Sequence, residues 1–431
     1  MAHAPNSREL PSELMSEIFA NCKLTPGWEP DWYKRHAFLL ELSRVCKSWA
    51  GPAQAMLFRE VRFPENEEDG PEQGILPILN TFLDTMRRHR DRGTGLPLAV
   101  RSLALTLGLA PSYDYSAKQD VDAVGCPLVK LVNDIVADDL LGALYHLELS
   151  NQGGWIDFDK YKADPAKTHL AALTFDKPQL DKLRGAKRQI HALTLKIIEY
   201  DMPMFAQLIT GFPALQYLDI TGTEQVSFTD LGDTYGVEDV QNLAGLRELR
   251  VATGATAADF AARLGDYNHV EILHVKELAN LAQLDGYRSR VTRLFINEWR
   301  QSGDTGSADE ATLTRFPLLT NIFIAGQSNQ RGQVQTIVKN SLRVNHIGAW
   351  FEATRLVSCK EMVKLFQELL PPNDAARPLI TVGVYASAMP FYLHPDVPPA
   401  EELTQFKTER ETEIEWFDEL ELIAIPEINL G

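Results

Sequence analysis

The sequence predicts an α/β chain in which a small three-helix module precedes a solenoid built on a parallel concave sheet. Three observations predict it. An apolar periodicity of helical spacing runs through the N-terminal region, and a short strand motif, apolar-x-x-apolar-x-apolar, recurs down the remainder. The third is composition: the 431 residues are 45% hydrophobic and 23% charged, ordinary for a packed protein and incompatible with wholesale disorder.

The first helix is expected in "LPSELMSEIFANC". Pro11 suits a first turn, where its missing N–H has no intrahelical partner to lose. Leu14, Met15, Ile18, Phe19 and Cys22 then fall on one face. The prolines and glycine of "LTPGWEPDW" break the helix. A second pattern follows at Phe38, Leu42, Val45, Cys46 and Trp49, with Gly51-Pro52 expected to end it and "AQAMLF" offering a short third helix. Cys46 is expected to pack on the apolar face of the second helix. So small a unit buries little apolar surface alone. Some of these side chains should stay exposed until a partner covers them, which marks an interaction module.

"LPSELMSEIF" followed by "LLELSRVCKSWAGPAQAMLFREVRF" resembles the F-box, most closely the form common in basidiomycete fungi. The matching elements are Leu10-Pro11, Glu13-Leu14, Ile18-Phe19, Leu42-Ser43, Val45-Cys46, Trp49 and Leu57-Phe58, within about the first 60 residues. Leu-Pro-x-Glu-Leu is common by itself; its combination with V-C-x-x-W is much more specific. The insert Leu24 to His36, with Trp28 and Trp32, is longer than in the shortest F-boxes. The resemblance implies that Leu10, Pro11, Leu14, Ile18, Phe19, Leu42, Val45 and Trp49 include the surface docking the Skp-type adaptor of an SCF (Skp–cullin–F-box) ubiquitin ligase. Each of them could equally belong to the module's own core. Exposed Leu, Ile, Phe and Trp on a helical face have the composition of a binding hot spot.

The strand motif begins at 100, 144, 170, 190, 215, 246, 270, 291, 319 and 379, with a weaker copy, "LRVNHI", at 342 that carries Asn345 where an apolar residue belongs. Most gaps between starts fall between 20 and 28 residues, the period of leucine-rich repeats. "FREVRF" reads as a degenerate opening strand, and "AADFAARLG" and "EMVKLFQELL" as helical returns. A single strand cannot bury its inner face, so neighbours must stack into an irregular leucine-rich-repeat solenoid. Residues between the apolar positions then project on the concave face. The fifth motif position reads Ala104, Glu148, Thr174, Thr194, Asp219, Arg250, His274, Phe295, Phe323, His346 and Gly383, turning basic and aromatic from Arg250 onward. Position three adds Arg293, position seven adds Lys276 and Asn297, and Trp299 falls just beyond its strand. Arg250, His274, Lys276, Arg293, Phe295 and Phe323 are therefore the candidate client-binding surface, suited to an acidic or phosphorylated client. Alternatively, the aromatics sit under a loop and the charges form an ordinary solvated face.

The expected organisation is an F-box over 8–60, a linker and helix over 61–99, repeats over 100–395, and an acidic helical cap or tail over 396–431. "PENEEDGPEQG" is the turn-rich hinge and "ILPILNTFLDTMRRHRDRG" an amphipathic helix. In the tail, Leu403, Phe406, Ile414 and Phe417 approximate one helical face.

A formal charge of −17 argues against broad nucleic-acid or anionic-membrane binding. No run approaches the ~18–20 apolar residues of a membrane helix, and the N-terminus lacks a signal-peptide pattern. Four scattered cysteines without a C-x-x-C pair suit reduced thiols in the cytoplasm or nucleus. Phosphate-loop, dinucleotide, nucleophile-elbow, zinc-protease and EF-hand motifs are all absent. The expectation is a protein without catalysis, metal or cofactor, whose partners are the adaptor, the cullin core and an unidentified client. Rival readings are a tethering scaffold without ubiquitin transfer, and an inhibitor whose N-terminal helices merely cap the solenoid, burying Leu14 and Trp49 on the first repeat.

Overall fold

The computed structural model describes residues 32–63, 75–106, 140–150, 190–196, 209, 211–222, 243–279, 281–299, 316–325, 337–351, 367, 381–386 and 413–418. The chain forms two compact units, Met1–Leu215 and Gln216–Gly431.

Among the described residues, the first elements of the first unit are helices α1 (Trp32–Val45) and α2 (Lys47–Arg59). Leu39, Ala53 and Met56 are buried between them, and Leu42, Trp49 and Leu57 pack against this cluster. The helical break falls at Cys46, and Gly51-Pro52 lies inside α2 rather than ending a helix. The reason is position: Cys46 O already accepts from Trp49 N (3.2 Å) and Ala50 N (3.1 Å). Pro52 lies just past that first turn and removes one intrahelical bond. Cys46 is exposed, its Sγ 3.1 Å from Ser48 Oγ, and is not part of the apolar face. The insert ahead of the second pattern is helical from Trp32 onward. The amphipathic helix expected after the hinge is α3 (Ile75–Asp91), followed by the short α4 (Leu96–Ala99). Leu79, Leu83 and Met86 give α3 its buried stripe at spacings of four and three.

Among the described residues, this unit also holds four parallel strands: β1 (Glu60–Phe63), β2 (Ser102–Thr106), β3 (His146–Ser150) and β4 (Ala192–Lys196). Each pairs with the next in chain order. β1 is the degenerate opening strand, so the sheet begins before residue 100. β3 pairs directly with β4, placing Glu148 beside Thr194. The motif at 170, with Thr174, lies outside the described residues.

The second unit contributes β5 (Tyr217–Ile220), β6 (Glu248–Thr253), β7 (Ile272–Leu278), β8 (Arg293–Trp299), β9 (Asn321–Ala325), β10 (His346–Phe351), β11 (Thr381–Ala386) and β12 (Glu413–Asp418). All are parallel and each adjoins its successor. Trp299 belongs to β8 rather than lying past it. Apolar positions one, four and six are buried, as in Val270, Leu273 and Val275 of β7 and Val291, Leu294 and Ile296 of β8. At β10 the register differs from the sequence reading by two residues. Val344 and Ile347 are the buried first and fourth positions, so Gly348, not His346, stands beside Phe323 and Gly383. "V-x-x-I-x-A" keeps apolar groups at every inward position, whereas "L-x-x-N-x-I" would bury an unpaired amide.

Over Glu413–Asp418 the expected helical tail is instead a strand, β12. Glu413–Asp418 adds to β11 in the repeat register, Ile414 beside Val382 and Trp416 beside Val384. Ile414 and Trp416 alternate at period two, the strand spacing.

One return is described in full. Helix α5 (Gly254–Leu264) is capped by Thr253, whose side chain accepts from Thr256 N, and is ended by Gly265 at φ +49°. Ala257, Phe260, Ala261 and Leu264 form its buried face. Tyr287, in the 3₁₀ turn Leu281–Tyr287, donates its buried hydroxyl to Ala257 O at 2.7 Å, holding that turn to the helix. No helix among the described residues is long and apolar enough to cross a membrane.

Candidate functional site

Because strands alternate, the residues between the apolar positions share the far face of the sheet, opposite its core. In the second unit, register aligns Asp219, Arg250, His274, Phe295, Phe323 and Gly348 as one row crossing six strands. Its two halves behave differently.

The β5–β6 end is a closed polar cluster. Arg250 Nε and one terminal guanidinium nitrogen each lie 2.8 Å from Glu248 Oε1. These side chains are only 10% and 6% exposed. The Arg250 guanidinium also sits over the Tyr217 ring, 5.1 Å from its centroid. Tyr217 donates to Asp219 Oδ2 at 3.2 Å, while Asp219 Oδ1 accepts from Thr221 N and Oγ1. Burial works to raise the Glu248 carboxyl, but the His274 hydrogen bond and the Arg250 charge outweigh it and hold it below its usual range. Burial, reinforced by Asp219, pushes the Tyr217 hydroxyl upward.

From β7 onward the row is a ring stack. His274 and Phe295 lie 3.8 Å apart at 4°, and Phe295 and Phe323 4.1 Å apart at 3°. His346, at position three of β10, leans on Phe323 at 5.3 Å and 45°. Strands spaced about 4.8 Å apart bring rings at matching positions face to face, and each such pair contributes about 0.5–1.5 kcal/mol beyond its burial. His274 Nε2 is 3.3 Å from Glu248 Oε1. Burial lowers its pKa to about 4 despite that carboxylate, so at neutral pH an uncharged imidazole donates the bond.

Of the six candidate client-binding residues, the structure brings Arg250, His274, Phe295 and Phe323 into this row. Two of the expected cations are spoken for: Arg250 is buried and neutralised, and His274 is uncharged. Lys276 and Arg293 are exposed on either side of the stack, and His346's pKa is lowered by burial and by the Arg293 charge. The sequence reading missed Glu248 and Tyr217. Their signal was available: both occupy position three, neighbouring Arg250 on the same face.

The first unit's face is polar. Ser102 Oγ, His146 and Thr194 Oγ1 form a chain with contacts of 2.9 Å to Nδ1 and 3.0 Å to Nε2. Lys196 Nζ donates to Glu148 at 2.6 Å. At the N-terminal helices, Val45 is 60% and Leu40 41% exposed, whereas Leu42 and Trp49 are half-buried against the α1–α2 cluster. Leu10, Pro11, Leu14, Ile18 and Phe19 lie outside the described residues. Among the described residues no three His, Cys, Asp or Glu side chains are grouped to hold a metal ion.

No protein-family model matches the chain, and no curated protein matches it. Among solved structures, it is similar to the leucine-rich repeat-containing protein LegL7 from Legionella pneumophila, at 14% identity and a TM-score of 0.35, over 74% of this chain and 100% of that one.

Proposed function

We propose that the protein is a non-catalytic binding scaffold, and more specifically the substrate-recognition subunit of an SCF-type ubiquitin ligase. The observation carrying the binding role is the in-register row on the second unit's far face. Ring stacks there are only half-buried and are flanked by the exposed cations Lys276 and Arg293. A parallel sheet with matched side chains at each strand offers an extended surface with little ordering cost, the property a protein-binding face needs.

The ligase assignment is supported by the sequence resemblance of the first sixty or so residues to the F-box, together with the large exposure of Val45 and Leu40 on α1. Apolar side chains left exposed on a short helix suit a partner that covers them. In such an assembly the F-box would hold the adaptor and the repeats the client, so that rate enhancement comes from proximity.

The test is co-purification of the full chain with a Skp-type adaptor, beside a variant carrying Leu10→Ala, Pro11→Ala and Leu14→Ala. Capture by the wild type and loss by the folded variant is the expected result. An adaptor that binds neither would remove the ligase reading and leave a free-standing scaffold.

A further inference from the structure

The ring stack restricts what can bind it. The faces of Phe295 are both taken, by His274 on one side and Phe323 on the other. What the row presents outward is ring edges, which carry the positive part of the aromatic quadrupole. A nucleobase platform or a cage for an ammonium group needs open ring faces, and the central ring, Phe295, offers none. Ring edges favour carbonyl and carboxylate oxygens and aliphatic groups.

The charges beside the stack point the same way. Arg250 is engaged by Glu248 within the sheet, and His274 is uncharged at neutral pH. Lys276 and Arg293 remain exposed, and among the described residues neither is held in an ion pair. Their placement is defined by register. Arg293 lies beside Ile272 and Phe295 beside His274. Lys276, two residues beyond His274, is therefore on the opposite side of the ring row from Arg293. Four residues of strand separate the two positions, about 13 Å at ~3.3 Å per residue, with one strand spacing of about 4.8 Å across.

We infer that this face takes a short extended segment of a client protein in which an apolar residue is flanked, two positions away on each side, by carboxylates. The inference rests on reading the row as a protein-binding face. In an extended peptide, residues two before and two after the centre lie about 13 Å apart and share one side. The central apolar side chain sits on the ring edges while one carboxylate meets Arg293 and the other Lys276. The chain's net charge of −17 does not oppose this, because at physiological salt charges beyond about 8 Å are largely screened and the two nearby cations dominate.

The experiment pans the immobilised full-length protein against a displayed library of random heptapeptides, then titrates labelled synthetic peptides. The expected enrichment is Asp or Glu at both flanking positions around Leu, Ile, Met or Phe. A fluorescein-labelled peptide with a Glu-Gly-Leu-Gly-Glu core should bind, and Arg293→Glu or Lys276→Glu should each weaken it about tenfold. The double reversal should gain affinity for the Lys-Gly-Leu-Gly-Lys peptide. Both substituted residues are exposed, and an unchanged melting curve shows that the fold is intact. Enrichment of a different pattern, or acidic-peptide binding indifferent to both reversals, overturns the motif while leaving a binding face supported. If nothing enriches, motif and binding face fail together. If peptides bind as expected but the adaptor is not captured, the ligase reading alone falls.

Discussion

Replacing Glu248 by Gln isolates the polar cluster that anchors the β6 end of the row. Two guanidinium nitrogens of Arg250 and the imidazole of His274 converge on Oε1 of this carboxylate, at 2.8, 2.8 and 3.3 Å. With the Arg250 side chain only 10% exposed, loss of the carboxylate charge leaves a guanidinium that water cannot rescue. Breaking a buried pair from one side costs about 3–5 kcal/mol; Gln keeps an acceptor oxygen, which places Glu248→Gln near ~3 kcal/mol. For a cooperative unit of this size each kcal/mol shifts Tm by ~2–4 °C, so the expected loss is about 6–12 °C. Circular-dichroism melts of the full chain at pH 7 measure it, following the transition of the Gln216–Gly431 unit. The double variant Glu248→Gln with Arg250→Met removes both charges, and should return to within about 1 kcal/mol of wild type. A cycle over the four proteins gives the coupling directly. A single-variant loss below about 2 °C, or a double variant as damaged as the sum of the singles, would refute the reasoning.

His274 makes stability depend on pH. Its pKa in the folded protein is pushed down to about 4 by burial, so between pH 6.5 and about 4 the unfolded chain binds a proton that the folded chain refuses. Stability is full above that window and falls as pH drops through it. His274→Phe keeps a ring in the stack and should flatten the Tm decline between pH 6.5 and 4.5; an unchanged slope would assign the sensitivity to other groups, such as His191 and His346, whose pKa values are also lowered by burial. A Cβ at Gly286 would collide with Ala261 of α5, so Gly286→Ala should cost about 1–3 kcal/mol in urea titration, and the compensating Ala261→Gly should recover part of it. Thr253→Ala removes the α5 cap and should cost ~1 kcal/mol, with Thr253→Ser close to wild type.

The strand motif was legible because its physics is local. Burying positions one, four and six of each strand needs only apolar residues at fixed spacing, and Leu103, Leu147, Leu193, Leu218, Leu249 and Leu273 fill the fourth position in six strands. Spacing alone could not fix the frame of every strand. The β10 register depended on two candidate frames two residues apart, and burial of Val344 with Ile347 decided between them. In the tail, Ile414 and Phe417 suit a helical face, while Ile414 and Trp416 suit a strand; an available edge at β11 settled the choice.

The sequence by itself determined that the chain is a run of parallel strands, and that basic and aromatic residues gather at one motif position from Arg250 onward. It could do so because inward-facing periodicity is written residue by residue. Only the tertiary structure decided what those residues are. Arg250 and His274 read as two cations in a list; brought within reach of Glu248 and away from water, one is neutralised and the other loses its proton. Phe295 and Phe323 read as two exposed aromatics; one strand spacing apart, they close their faces on each other. Arg250's partner sits two residues away on its own strand, but the groups that set His274 and Phe295 lie across strands, twenty or more residues away in sequence, and a single sequence does not say which neighbours those will be.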